Sequence, residues 1–191
     1  MGKNKRRTIS VRDEIHQKDL EVDSQEEQEF VRWLNEAVRL GIVGDFEYQP
    51  PPIQLSPSVK YQDFKTGKTK VLFREHVYTA DFILYVDPKI SPNIVCELKK
   101  DDPIKKKGDL EAFYIDIKGG FMSNGSDRSF PMNQKWVYAK YGIYVHKLVP
   151  KDFFLKFGII EDFKYTAKTK KPSKRYAGYP TIEEVVSAKG N

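Results

Sequence analysis

Cysteine occurs once, as Cys96, and histidine three times, as His16, His76 and His146, among 191 residues. An internal disulfide framework is therefore excluded. A Cys/His zinc site cannot be assembled from nearby pairs, so any metal must be held by oxygen. Long apolar runs are missing too. Phe82-Ile83-Leu84-Tyr85-Val86 is typical of the longest, far short of the roughly 20 residues that span a bilayer. The leading segment Gly2-Lys3-Asn4-Lys5-Arg6-Arg7 is basic but runs into polar residues rather than an apolar stretch with a cleavage site. The expectation is a cytoplasmic protein without a membrane span. An apolar share of 39% supports one core and one ordinary domain.

What the chain has in excess is positive charge, unevenly placed. Thirty-three Lys and Arg face 27 Asp and Glu, giving +6. Lys3, Lys5, Arg6, Arg7 and Arg12 precede any acid, Lys105-Lys106-Lys107 form a block, and Lys164, Lys168, Lys170, Lys171, Lys174 and Arg175 crowd an acid-free stretch. Unpaired runs of this kind favour a polyanion. Tyr165, Tyr176 and Tyr179 interleave with the last group, where aromatic rings suit stacking on bases, so nucleic acid is the expected partner.

Ser24-Gln25-Glu26-Glu27 is a capping box that predicts a helix start, with Phe30, Val31, Trp33, Leu34, Ala37 and Val38 at helical spacing and Gly41 as the stop. Phe46 to Gln49 reads as a short strand ended by Pro50-Pro51-Pro52, with Ile53, Leu55 and Val59 continuing along an edge. Val71 to Val86 and Ile94-Val95-Cys96 read as a hairpin, 99–111 as a charged loop, Ala112 to Lys118 as a strand and 120–131 as a mobile loop. Gln134 to Tyr141 is a predicted helix, and Gly142 to Val149 a last strand. The pattern predicts an α/β fold with a mixed central sheet flanked by helices. Residues 1–20 are expected to be a basic, disordered arm, 21–163 the structured domain and 164–191 a basic tail.

Two segments carry chemistry. In Tyr78-Thr79-Ala80-Asp81-Phe82-Ile83-Leu84 an acid sits in an apolar strand, where an ionised carboxylate needs a positive partner. In Phe113 to Gly119 strand alternation sets Phe113, Ile115 and Ile117 on one face and Asp116 and Lys118 on the other, their Cα atoms roughly 6.6 Å apart. Were the two strands neighbours, Asp81 and Asp116 would share a hard divalent cation with Lys118 beside its water. Glu97-Leu98-Lys99 also fits acid-apolar-Lys. Asp116 and Lys118 are preferred because Gly119-Gly120 permits close approach of a phosphate backbone, whereas Lys99 opens a run of charges.

These residues resemble the PD-(D/E)XK nuclease superfamily, in which an acid on one strand is followed by Asp or Glu, an apolar residue and Lys on the next. The order Ser24-Gln25-Glu26-Glu27, Gly41-Ile42, Phe46-Glu47-Tyr48, Tyr78 to Phe82 and Asp116-Ile117-Lys118-Gly119 is similar to the phage endonuclease I-type Holliday junction resolvases, over about residues 24–149. Ala80 stands where those proteins have proline, Asp116 where Glu is commoner, and an insertion separates the strands. The resemblance implies a restriction-endonuclease-like core and a metal-dependent endodeoxyribonuclease acting on branched DNA in phage recombination or packaging, as a homodimer in the host cytoplasm. It also implies Mg²⁺ or Mn²⁺ bound by Glu27, Asp81 and Asp116, with Lys118 assisting the water. Glu27 is equally explained as the capping acid, and Glu26 lies nearby. Gln134, Lys135, Arg128, Lys170, Lys171 and Arg175 are candidate DNA contacts. The alternatives are a nicking nuclease, nonspecific or sequence-specific, a nuclease acting on RNA, and a non-catalytic DNA-binding protein with the same fold.

Overall fold

The computed structural model describes residues 8–90, 104–119, 126–166 and 168–189. The helix at the capping box forms as the sequence predicts. Ser24, extended at φ −144°, accepts through Oγ from the Glu27 amide at 3.1 Å and opens α1 (Gln25–Arg39). Gly41, at φ +71°, follows its end. The buried stripe Phe30, Val31, Trp33, Leu34 and Ala37 is the α1 contribution to the main core.

The central sheet contains β3 (Asp45–Tyr48), β8 (Phe82–Val86), β9 (Lys105–Lys107), β10 (Leu110–Ile117) and β11 (Val145–Leu148), in the order β11-β10-β8-β3 with β9 also on β10. β10 and β11 are parallel, joined through α2 (Ser126–Tyr141); the other pairs are antiparallel. Every residue of β8 is buried because both faces of the sheet are covered. Phe82, Leu84, Val86, Phe113, Ile115 and Ile117 pack with α1 and with Phe153, Phe154 and Phe157 of α3 (Pro150–Phe157). A smaller core beneath α2 gathers Leu55, Tyr78, Ala80, Phe130, Val137 and Val145. The architecture is mixed α/β, and among the described residues no helix is long and apolar enough to cross a membrane.

Several local expectations change. Val71 to Val86 is not one arm of a hairpin but β6 (Thr69–Phe73), β7 (His76–Tyr78) and β8 in succession; β6 pairs with β5 (Val59–Gln62) and β7 with β4 (Ile53–Ser56). Ile94-Val95-Cys96 lies outside the described residues. The charged stretch read as a loop contains β9, whose three lysines turn back onto β10 through Gly108 at φ +61°. The loop expected over 120–131 is helical from Ser126.

The chain ends differ most. Within the expected arm, β1 (Ile9–Asp13) and β2 (Lys18–Val22) form a hairpin that places Val11, Leu20 and Val22 in the main core. Within the expected tail, Tyr176 and Ile182 are buried, the latter opening α4 (Ile182–Lys189). Gly158 explains the fit: at φ +85° a Cβ there would lie 2.5 Å from the Thr181 backbone, and its carbonyl accepts from Trp33 Nε1 at 3.0 Å. Ile159 exchanges backbone bonds with the same segment, donating to Pro180 and accepting from Ile182. Short charged runs hide such sparse anchors from composition-based reading. Ile182→Ala should therefore lower stability by about 2–4 kcal/mol in a denaturant melt; a loose tail would leave the midpoint unmoved.

Candidate active site

The β8–β10 register pairs Phe82 with Ile115 and Ile83 with Tyr114. Carried one step further, it sets Asp81 across from Asp116. Directly opposed side chains of an antiparallel pair have Cβ atoms about 4.5–5.5 Å apart, so two carboxylates here repel unless each is satisfied. The surrounding groups satisfy both.

Asp81 stands where the ladder stops. Its amide donates to Ile115 O at 3.0 Å, its carbonyl accepts from the Gln49 amide at 2.8 Å, and its Oδ2 accepts from the Ile117 amide at 2.6 Å. The carboxylate thus substitutes for a strand carbonyl. Asp116, 4% exposed, accepts through Oδ2 from the Tyr78 hydroxyl at 2.6 Å. Its Oδ1 is buried, touches the Lys118 ammonium, and accepts no hydrogen bond among the described residues. Lys118 is fixed at its own amide, which donates to Leu148 O at 2.9 Å, and its Nζ lies 5.6 Å from the centre of the Phe130 ring on α2. The alternation of β10 is the predicted one, with Ile115 and Ile117 in the main core and Asp116 on the opposite side with Tyr78.

Glu27 completes the acidic group from α1. Oε1 accepts from Ser24 Oγ at 3.0 Å, and Oε2 accepts from the Tyr48 hydroxyl at 2.9 Å and the Asp23 amide at 3.3 Å. It is the capping acid and also a charge felt by Asp81. Glu26 turns instead to Arg175, 3.5 Å away. Burial, then the charge of Asp116, then that of Glu27 push the Asp81 carboxyl up to about 7, against the Ile117 amide and Lys118, which favour ionisation. Burial and the neighbouring carboxylates also hold Tyr48 and Tyr78 well above the usual phenol range, keeping both as hydroxyl donors.

Among the described residues no group of three or more His, Cys, Asp or Glu side chains is set to hold a metal ion. The donor chemistry nonetheless suits a hard cation. Two buried carboxylates face each other, and the buried Asp116 oxygen beside Lys118 accepts no hydrogen bond among the described residues.

The remaining candidates disperse. Gln134 Nε2 donates to Val145 O at 2.5 Å, tying α2 to the start of β11. Lys135 is exposed on the same helix, and the Arg128 side chain lies outside the described residues. Lys170 and Lys171 are exposed on the C-terminal segment. Arg175 is committed to Glu29 at 3.1 Å as well as Glu26. Glu97 and Lys99 lie outside the described residues. His76 is a structural strand histidine: Nε2 meets Asn133 Oδ1 at 3.0 Å and its ring stacks on Trp136 at 5.4 Å. Sequence reasoning passed over Tyr48 and Tyr78. Their only signal was a position at a strand end.

Because Asp81 holds its proton more tightly folded than unfolded, ionising it costs stability as pH rises from its ordinary 3.8 through about 7. Asp81→Asn keeps an acceptor for the Ile117 amide and removes that cost. In EDTA the variant should gain on the parent from pH 4 to pH 8, reaching about 2–4 kcal/mol by denaturant melts; a difference independent of pH would refute the buried, repelled carboxylate.

Comparison with protein-family models, with curated proteins and with solved structures finds no match to this chain.

Proposed function

We propose that the chain is a metal-dependent endodeoxyribonuclease with a restriction-endonuclease-like core, hydrolysing DNA phosphodiester bonds. One observation carries this reading: Asp81 and Asp116 stand at opposed positions on two adjacent strands, with Lys118 on Asp116 and Glu27 near enough to act on Asp81. Structural acids have no reason to collect in a half-buried sheet end at this electrostatic cost.

In this reading Asp81 and Asp116 hold Mg²⁺ or Mn²⁺, with Glu27 completing the acidic group. The metal supplies charge stabilisation at the phosphorane-like transition state and at the leaving oxygen. Tyr78 fixes one oxygen of Asp116 and leaves the other facing Lys118. The Ile117 amide fixes Asp81 in the same way. Lys118 is the one cation of the group; released from Asp116, its ammonium orients a water against the scissile phosphate and steadies negative charge there. Tyr48 holds Glu27 toward the site rather than toward solvent. Exposed Lys135, Lys170 and Lys171 add phosphate contacts. Branched DNA is the proposed substrate, on the strength of the residue pattern shared with junction resolvases, and two cuts per junction call for a homodimer. The rival reading, a non-catalytic DNA-binding protein, draws support from the Lys118–Asp116 ion pair, which leaves both groups neutralised.

The test is cleavage of supercoiled plasmid and of a four-way junction with Mg²⁺ and with EDTA, with single-stranded RNA as competitor. Asp81→Ala and Lys118→Ala should each lower the metal-dependent rate by on the order of 10²-fold or more. Cleavage untouched by either change defeats the site; tight binding with no cleavage establishes the rival.

A further inference from the structure

The strand pairs β4–β7 and β5–β6 are two halves of one object. Ile53 pairs with Tyr78, Gln54 with Val77 and Ser56 with His76; beyond a bulge, Val59 pairs with Phe73, Lys60 with Val71, Tyr61 with Lys70 and Gln62 with Thr69. The chain runs out through β4 and β5 and back through β6 and β7, so the two pairs form one two-stranded ribbon whose ladder is interrupted at 57–58 and 74–75. Its root is built into the candidate site, since Tyr78 donates to Asp116, and into α2, whose Lys140 Nζ and Tyr141 hydroxyl both donate to Gln54 O. Its outer half packs on nothing comparable. All of β6 is exposed, as is all of β5 except Val59.

The outer half is nevertheless ordered at its tip. The Asp63 amide donates to Lys68 O at 3.0 Å, the Gly67 amide to Asp63 O at 2.8 Å, and Asp63 Oδ1 accepts from the Lys65 and Thr66 amides. That turn holds Phe64 fully exposed at the apex, with Tyr61, Val71, Leu72 and Phe73 exposed behind it. An isolated ribbon with large apolar side chains bare on both sides is marginal in water and calls for a partner. Residues 59–74 carry Lys60, Lys65, Lys68, Lys70 and Arg74 against Asp63 alone, which is already paired with Lys70. The other four cations make no ion pair among the described residues.

We propose that this ribbon is a duplex-DNA docking arm. The inference rests on the nucleic-acid reading above and adds the element that seats the double helix. A major groove admits a two-stranded ribbon. From Leu55 to Phe64 an extended strand reaches at most roughly 30 Å, close to one turn of the helix, so the arm follows the groove away from Asp81 and Asp116. The free cations meet phosphates, and Phe64 sets its ring against base edges, where the thymine methyl offers an apolar contact. A second copy of the chain fits less well, because two such ribbons repel each other by their shared excess of positive charge.

The test is fluorescence anisotropy of a labelled duplex in EDTA, so that binding is read without cleavage. Lys60→Glu/Lys65→Glu/Lys68→Glu should weaken binding at least tenfold and flatten the slope of log K against log salt by about 2–3. Phe64→Ala should cost about three- to tenfold, and that loss should persist at high salt, where Coulombic attraction is screened. Lys18→Glu/Lys89→Glu/Lys151→Glu makes the same charge change elsewhere and should weaken binding far less. Equal losses in the two triple variants overturn the arm, as does a parent chain that ignores duplex, or duplex displaced by single-stranded RNA at equal concentration. So does a dimer that falls apart with Phe64→Ala while duplex affinity holds. Loss of the nuclease reading alone, with binding intact, leaves the arm standing.

Discussion

The opposition of two carboxylates across neighbouring strands organises everything near them. Two negative charges at this spacing in a covered sheet are unfavourable by several kcal/mol unless neighbours compensate. The compensation is divided by chemistry. A backbone amide serves Asp81, a phenol and an ammonium serve Asp116, and a phenol with a helix-capping serine serves Glu27. The donors come from β3, β10, α1 and the root of the ribbon, so the acids hold these elements and β8 in one geometry. A group so thoroughly constrained is preorganised, which is what recognition of a highly charged transition state requires.

The two cores on either side of the sheet keep that geometry. On one side aromatic packing dominates, with Phe30 edge-on to Phe82 and Phe153, and Trp33 edge-on to Phe153. On the other, α2 lays Phe130 and Val137 over Tyr78 and Ala80. β11, parallel to β10, supplies the Leu148 carbonyl that fixes the Lys118 backbone, so the crossover through α2 is what positions the ammonium.

How much of this was legible in the sequence follows from which signals are local. The α1 capping box and stripe and the alternation of β10 are written in adjacent residues and reappear in the structure, and the isolated acid Asp81 stands just ahead of β8 rather than inside it. The pairing of Asp81 with Asp116 required only that two readable strands be neighbours. Less was legible where few residues act over long separations. Tyr176 reaches Glu29, and the Thr181 backbone packs on Gly158, from a segment whose charge suggested disorder. The β9 lysines look like solvated loop because a short edge strand with exposed side chains has no apolar pattern. The ribbon was misread as part of a longer hairpin since its outer strands bury nothing and so leave no periodicity.

The contact between Gly158 and Thr181 has a consequence for how the molecule comes into being. The core that holds Phe154, Tyr176 and Ile182 also holds the α1 stripe, and the close approach at Gly158 is what lets the 181–182 backbone join it. Phe30 and Trp33 are covered by Phe82 and Phe153, and Trp33 reaches the Gly158 carbonyl as well, so this side of the core joins residues far apart in the chain. Contacts of such sequence separation form slowly, so docking of this segment, rather than completion of the central sheet, is the step that closes the fold.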